Sequence, residues 1–125
     1  MLDTAVFWWL ATDSARLSKA ALGAFADPAN EISVSPISCW ELLVKHQLGR
    51  LPVSAGFVDV LTQARAGWAI RSIPLKESAV MRLASLPGLH RDPFDRMLIC
   101  QAIDEGMTIL TPDDVIRAYP VATMW

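Results

Sequence analysis

Residues 92–113 read DPFDRMLICQAIDEGMTILTPD, and this stretch carries the clearest secondary-structure signals of the chain. Asp92 and Pro93 supply a helix N-cap and a proline at the first helical position, and Gly106 is a residue type that ends helices. The apolar residues between them recur at helical spacing. The run 108–111 then has the length and the β-branched residues of a strand. The sequence therefore predicts a long helix followed directly by a strand.

The same alternation of helix and strand patterns extends outward along the chain. In the helix that begins with Ser35 and Pro36, the apolar side chains of Trp40, Leu43, Val44 and Leu48 are predicted to share one face. Strands are predicted at 1–3, 31–35, 69–74, 108–111 and 121–124. Helices are predicted around 6–10 and at 18–26, 36–48, 54–66, 76–85 and 93–105, with a short helical turn at 112–118.

Strands separated by helices favour a mostly parallel sheet, because each crossover lays a helix across the sheet. We therefore predict a single α/β domain over residues 1–125. Its central sheet should have four to five short strands, flanked by helices on both faces. In sheets of this kind, ligands bind near the carboxyl ends of the strands. Candidate functional residues should therefore lie just after strands or in the helices that follow them.

The composition excludes several classes of protein. The 125 residues are 53% hydrophobic with a formal net charge of -2, which excludes a disordered chain and a nucleic-acid binder that works through overall basicity. The apolar stretch 5–11 is too short to span a membrane and has no basic segment before it, so we expect a soluble, cytoplasmic protein with no membrane partner. The two cysteines and the two histidines lie far apart, so a metal site would need oxygen ligands.

Acidic residues follow the predicted strands or lie in the next helix: Asp3, Glu41, Asp95 and Asp113. Taken singly, each has a structural explanation, because an acid at a helix start can act as a cap and Glu41 can pair with Lys45 four residues later. Four converging carboxylates would repel one another and lose hydration, so together they would need protons or a divalent cation. Oxygen ligands select Mg²⁺ or Mn²⁺. Asp114 is an equally good fourth acid on sequence grounds.

Several segments resemble one known family. They are Leu2-Asp3-Thr4, Trp40-Glu41 with Lys45-His46, the run His90-Arg91-Asp92-Pro93-Phe94-Asp95-Arg96, and Leu110-Thr111-Pro112-Asp113. In this order they resemble the PIN-domain ribonucleases, and in particular the VapC-type toxins of type II toxin-antitoxin pairs. The run at 90–96 is the most specific part. The resemblance covers essentially the whole chain and implies a single PIN domain over residues 1–125.

The resemblance also implies a function. The family's acidic quartet binds Mg²⁺ or Mn²⁺ and cleaves RNA, and by resemblance its catalytic and metal-binding members here are Asp3, Glu41, Asp95 and Asp113. Three cations close to these acids are candidate contacts to RNA phosphates, with ion pairing or solvation as the structural alternative: Arg91, Arg96 and Lys45. The implied partners are the RNA substrate, a cognate antitoxin that neutralises the toxin, and a second copy of the chain in a homodimer.

Two alternatives stay open. Relatives in this family usually have a longer apolar run before the first aspartate and often a histidine shortly after it, whereas here only Met1 and Leu2 precede Asp3, and Ala5 follows Thr4. A short first strand would favour a binding module that keeps the fold and the partner surface but no longer cleaves RNA. A phosphoacceptor aspartate on an α/β sheet is disfavoured, because no acid lies two residues after Asp3 and no lysine ends a late strand.

Overall fold

The computed structural model describes residues 1–51 and 56–125. Within these residues, helices alternate with short strands, as the sequence patterns predict. The elements are α1 (Thr4–Thr12), α2 (Lys19–Ala26), β1 (Ser33–Val34), α3 (Pro36–Gln47), α4 (Phe57–Gly67), β2 (Arg71–Ser72), α5 (Glu77–Met81), α6 (Pro93–Glu105), β3 (Ile109–Leu110), α7 (Asp114–Arg117) and β4 (Thr123–Met124). Turns of 3₁₀ helix follow α1 at Ser14–Arg16 and α5 at Arg82–Ala84.

The strands form a parallel sheet with a single residue at its centre. β1 pairs with β2 and β3 pairs with β4, both in parallel. Leu2 bridges the two pairs, because it lies in parallel pairing with Val34 on one side and with Leu110 on the other. Its backbone N–H donates to the carbonyl of Ser33 at 2.8 Å, and the N–H of Leu110 donates to the carbonyl of Met1 at 2.9 Å. The order is therefore β2, β1, Leu2, β3, β4, which confirms the predicted mostly parallel sheet and its short first strand.

Two apolar cores cover the two faces of this sheet. Successive residues of a strand point to opposite faces, and the neighbours in the sheet divide accordingly. Leu2, Val34 and Leu110 belong to one buried cluster, whereas Met1 and Ile109 belong to the other. The first cluster includes side chains of α1, α2, α3 and α4, and the second includes side chains of α6 and α7. Helices therefore cover both faces, as expected for a parallel sheet.

Local capping explains where most helices begin. The side chain before each first turn accepts a backbone N–H: Asp3 from Val6 (2.7 Å), Ser18 from Ala21 (3.0 Å), Ser35 from Ile37 (3.1 Å), Asp92 from Phe94 (2.9 Å) and Asp113 from Val115 (2.7 Å). Gly106 ends α6 with a φ of 64°, in the left-handed region that favours glycine. These contacts confirm the predicted starts near 18, 36 and 93 and the predicted end at 105.

The apolar face predicted for α3 is only partly buried. Trp40 is 57% exposed and Leu48, just after the helix, is 61% exposed. The buried side chains of α3 are instead Ile37, Ser38, Glu41 and Leu42. The physical reason is that α3 packs between α1 and α6, so its inward face includes an acid and a serine. An apolar pattern alone does not reveal such a face.

Some other boundaries also differ from the predictions. The helix predicted from Ser54 is observed as α4 from Phe57, and the predicted start falls on residues 52–55, which lie outside the described residues. The helix predicted at 76–85 is a short α-helix followed by the 3₁₀ turn. Among the described residues, no helix is both long enough and apolar enough to cross a membrane.

Leu2 gives a direct test of the central position of the first strand. Its side chain is 1% exposed, so Leu2→Ala should lower the free energy of unfolding by about 2–5 kcal/mol through lost burial and the cavity it leaves. Leu48→Ala is the matched control, because that leucine is exposed and should change stability by less than about 0.5 kcal/mol. Urea denaturation of both variants measures the difference. Equal stabilities for the two variants would contradict a buried central strand.

Candidate active site

A cavity of about 390 Å³ lies at the carboxyl ends of the central strands. It brings together all four predicted acids, which come from four separate segments of the chain. Its walls are formed by Asp3, Thr4, Ala5, Trp8, Trp9, Glu41, Leu42, Lys45, Leu51, Asp92, Asp95, Pro112, Asp113 and Ile116. The fold therefore concentrates negative charge in one place although the net charge of the chain is only -2.

Asp3 is the most deeply buried aspartate of the cavity. It follows the bridging residue Leu2 and is 3% exposed. Burial raises the pKa of its carboxyl to about 6, against the effect of hydrogen bonds from Thr111 and from the backbone of Val6, and the charges of Asp95 and Asp113 raise it further. The capping role proposed for Asp3 is therefore real, but the cap lies inside an acidic cavity.

Asp95 lies in the first turn of α6 and is paired with a histidine. Oδ2 of Asp95 is 2.7 Å from Nε2 of His90. Burial raises the pKa of Asp95 to about 6 in spite of this hydrogen bond, and the negative charges of Asp92 and Glu41 act in the same direction. Asp95 therefore has carboxylates as neighbours on both the α3 side and the α6 side of the cavity.

Glu41 is the acid contributed by α3. It is 3% exposed, and Oε1 forms an ion pair with the ammonium group of Lys45, one turn along the helix. This pair was the structural explanation offered by the sequence. The other oxygen, Oε2, is buried without a hydrogen-bond partner among the described residues. A buried carboxylate oxygen without a donor is costly, so Oε2 is chemically ready to accept a cation or a donor from a ligand.

The structure separates the two candidates for the fourth acid by position. Asp113 lines the cavity and caps α7 through Oδ1. The side chain of Asp114 is 91% exposed and pairs with Arg117, and it is not among the cavity residues. Asp92 lines the cavity and also caps α6, as predicted from the Asp-Pro pair. Asp113 is therefore the acid that the fold places beside Asp3.

The predicted RNA-contacting cations differ in their positions. Lys45 lines the cavity and Arg91 is exposed. Arg96 does not line the cavity, because its guanidinium donates to the carbonyl of Pro87 at 2.9 Å and lies 3.4 Å from the carbonyl of His90. These contacts tie Arg96 to the loop before α6, and its contact with RNA stays a prediction. Lys45 therefore lies at the cavity, and the contacts of Lys45 and Arg91 with RNA stay predictions.

The donor set fits a divalent cation in its chemistry. Carboxylate oxygens are the ligands that Mg²⁺ and Mn²⁺ prefer, and a cation would relieve the repulsion that helps to raise the pKa of Asp3 and Asp95. A cation could also bind Oε2 of Glu41, which has no hydrogen-bond partner among the described residues. In the described residues, however, no three histidine, cysteine, aspartate or glutamate side chains are close enough to hold an ion together as they lie. The cavity therefore provides the ligand types without a closed ligand shell.

Sequence reasoning missed two features of the cavity. His90 was set aside because the histidines lie far apart, yet it contacts Asp95, and its position five residues before that acid in the 90–96 run was the available signal. Trp8 and Trp9 both line the cavity, and neither was among the candidate site residues. Trp8 stacks on Phe57 with ring centroids 5.7 Å apart. Trp8 therefore packs against Phe57 and also lines the cavity.

Comparisons with known proteins agree with the sequence resemblance. The family model described as "PIN domain" matches residues 1–122. The chain is 29% identical to Ribonuclease VapC22 of Mycobacterium tuberculosis, over 100% of this chain and 97% of that protein. It superposes with a TM-score of 0.74 and 16% identity on a chain in the crystal structure of VapBC2 from Rickettsia felis bound to a promoter DNA fragment, covering 99% of this chain and 96% of the other. These similarities confirm the resemblance to VapC-type proteins, and the match over nearly the full length shows that the chain belongs to the PIN-domain family.

Proposed function

We propose that this protein is a metal-dependent endoribonuclease that acts as a VapC-type toxin. The observation that carries the proposal is the convergence of Asp3, Glu41, Asp95 and Asp113 on one cavity at the strand ends. Two of these acids have a pKa raised to about 6, which is typical of groups at functional sites. The relative named Ribonuclease VapC22 supports the same reaction class.

Asp3 and Asp95 are the proposed principal ligands of Mg²⁺ or Mn²⁺, and Glu41 and Asp113 complete the set directly or through water. When bound, the ion supplies Lewis-acid polarisation of a phosphodiester and lowers the pKa of an attacking water. The protein's own contribution is to hold the carboxylates in position. Capping bonds hold Asp3 and Asp113, and the ion pair with Lys45 holds Glu41, so the carboxylates are kept together despite their repulsion.

Lys45 and Arg91 are the proposed phosphate contacts, because Lys45 lines the cavity and Arg91 lies exposed in the loop before α6. Such cations neutralise the phosphates that an acidic cavity would otherwise repel. Trp8 and Trp9 offer partly exposed aromatic faces beside the acids, and bases of single-stranded RNA stack on such faces. RNA in an accessible, unpaired conformation is therefore the proposed substrate class.

A cognate antitoxin is the proposed protein partner. The support is the structural neighbour, whose title describes a VapBC complex on promoter DNA. We further propose a homodimer and a cytoplasmic site of action, where RNA of the translation machinery is accessible. Exposed apolar side chains such as Trp40 and Leu48 are available for these contacts.

One observation keeps a second function in view. Since the described side chains do not form a close three-ligand set, a PIN-fold binding module that retains partner or RNA binding without cleavage is the alternative. The two functions differ in their response to metal. A formed site gives stabilisation by a divalent cation through linkage, whereas a binding module with a broken site gives little.

RNA cleavage in Mg²⁺ or Mn²⁺ tests the proposed function. The purified protein, incubated with structured RNAs, should produce defined fragments, and EDTA should abolish them. Asp95→Asn should lower the rate about 10²–10³-fold, or about 3–4 kcal/mol in the barrier, since a proposed metal ligand is lost. Asp114→Asn is the matched control and should cleave normally. Equal inertness of the wild-type protein and Asp95→Asn in every metal would contradict the proposal and favour the binding module.

A further inference from the structure

His90 contacts Asp95 although it is not one of the four acids. Its Nε2 lies 2.7 Å from Oδ2, and the two side chains are 26% and 19% exposed. An ionised carboxylate can only accept, so the imidazole N–H donates. A distance of this size is typical of a charge-assisted hydrogen bond, which is stronger than a neutral one.

This hydrogen bond makes the two oxygens of Asp95 unequal. Oδ2 is occupied by His90, whereas no group of the described residues hydrogen-bonds Oδ1. Because Asp95 lines the cavity, Oδ1 is the oxygen left for a ligand there. A hydrogen bond to one carboxylate oxygen also restricts rotation of the whole group, so it fixes the direction in which the other oxygen is presented.

The backbone of His90 is itself held in place. Its N–H donates to the hydroxyl of Tyr119 at 2.7 Å, and Tyr119 is 4% exposed. Arg96, one helix position after Asp95, lies 3.4 Å from both the carbonyl of His90 and the hydroxyl of Tyr119. The loop that carries His90 is thus tied both to α6 and to Tyr119, the second residue after α7. Such support positions a side chain more accurately than a free loop does.

We propose that His90 is a positioning residue that orients Asp95 for a divalent cation. The inference rests on the proposed function and extends it to a residue outside the acidic quartet. Groups that hydrogen-bond a metal ligand set its orientation, and their loss commonly lowers metal affinity or activity 10–100-fold. In this role His90 contacts neither RNA nor the metal ion, because it acts through the carboxylate of Asp95.

Mn²⁺ binding by the full chain, measured by the EPR signal of the free ion, tests the role. His90→Ala should lower the Mn²⁺ affinity about 10–100-fold. His90→Gln should restore most of it, because its amide N–H can donate to the same oxygen. Leu89→Ala, at an exposed site in the same loop, is the control and should bind Mn²⁺ like the wild type. Thermal melting in EDTA verifies that each variant is folded.

Cleavage kinetics distinguish positioning from a simple loss of structure. His90→Ala should lower kcat with little change in KM for RNA, and an excess of Mn²⁺ should restore part of the rate. Tyr119→Phe, which leaves the imidazole intact but removes the support of its backbone, should lower Mn²⁺ affinity by a smaller factor.

If His90→Ala kept the wild-type Mn²⁺ affinity and the wild-type kcat, the inference about His90 would be wrong while the proposed function would stand. The same would follow if His90→Gln were as impaired as His90→Ala. A wild-type protein that neither binds Mn²⁺ nor cleaves RNA would instead overturn the proposed function, and this inference with it. The two failures are therefore distinguishable by the behaviour of the wild-type chain.

Discussion

Replacing Asp3 with asparagine is expected to stop RNA cleavage and, at the same time, to stabilise the metal-free protein at about pH 7.5. Burial, with a further contribution from the charges of Asp95 and Asp113, raises the pKa of Asp3 to about 6. At about pH 7.5 the fold therefore contains an ionised carboxylate in surroundings that disfavour its charge. Asparagine has nearly the same shape, caps helices as well as aspartate does, and carries no charge.

The expected gain for Asp3→Asn is roughly 1–2 kcal/mol in the free energy of unfolding, or roughly 3–8 °C in melting temperature for a domain of this size. The cleavage rate should fall about 10²–10³-fold. Thermal denaturation in EDTA measures the first effect and an RNA cleavage assay the second. Asp114→Asn, which changes an exposed acid outside the cavity, should show neither effect. A lower melting temperature for Asp3→Asn would contradict the picture of a strained carboxylate.

The pH dependence of stability should also show the raised pKa of the buried carboxylates. The pKa of Asp3 and of Asp95 is about 6 in the fold and 3.8 in the unfolded chain, so the folded state holds these protons more tightly. Protonation therefore stabilises the fold. Their contribution is complete below about pH 4 and is lost as the pH rises through about 6. Relative to the wild type, Asp3→Asn should lose less stability between about pH 5 and pH 7.5, and parallel curves would contradict this assignment.

A divalent cation is expected to stabilise the fold at neutral pH, as protons do at acid pH, by neutralising the carboxylates of the cavity. At about 100 times its Kd, an ion that binds only the folded state adds about 2.7 kcal/mol, which corresponds to roughly 8–13 °C in melting temperature. Millimolar Mn²⁺ should therefore raise the melting temperature strongly at about pH 7.5. At about pH 5 the increase should be much smaller, because protons compete for Asp3 and Asp95.

Thermal melting with Mn²⁺ and with EDTA measures this second effect, and variants locate it. Asp95→Asn should lose most of the increase, whereas Asp114→Asn should keep it. An equal increase in both variants would mean that the ion binds away from the cavity. The absence of any increase in the wild type would favour the non-catalytic binding module.

Local chemistry explains why so much of the fold could be predicted. The start and the end of α6 follow from Asp92, Pro93 and Gly106, which act through capping bonds within one turn. The parallel sheet follows from the alternation of elements, and the strand-end rule then predicts that residues such as Asp3 and Asp113 lie near each other. These acids do line one cavity, while their roles as metal ligands stay predictions.

The features that sequence reasoning missed depend on packing between elements that are far apart in the chain. The buried face of α3 includes Glu41 and not Trp40, and helical spacing alone does not reveal which face of a helix its neighbours cover. Arg96 was predicted to lie close to the acids, whereas its guanidinium donates to the carbonyl of Pro87 and lies 3.4 Å from the hydroxyl of Tyr119, more than twenty residues away. His90 was set aside because the two histidines lie far apart in the sequence, and only the fold places its imidazole against Asp95.

A crystal structure of the wild-type protein with Mn²⁺ would show whether the four acids of the cavity hold a divalent cation. Anomalous scattering locates the ion independently of any assumption about the site. We expect a strong anomalous peak in the acidic cavity, with oxygens of Asp3 and Asp95 as direct ligands and Glu41 and Asp113 as direct or water-mediated ones. A cavity that stays without an anomalous peak at saturating Mn²⁺, or an ion held elsewhere on the chain, would contradict this expectation.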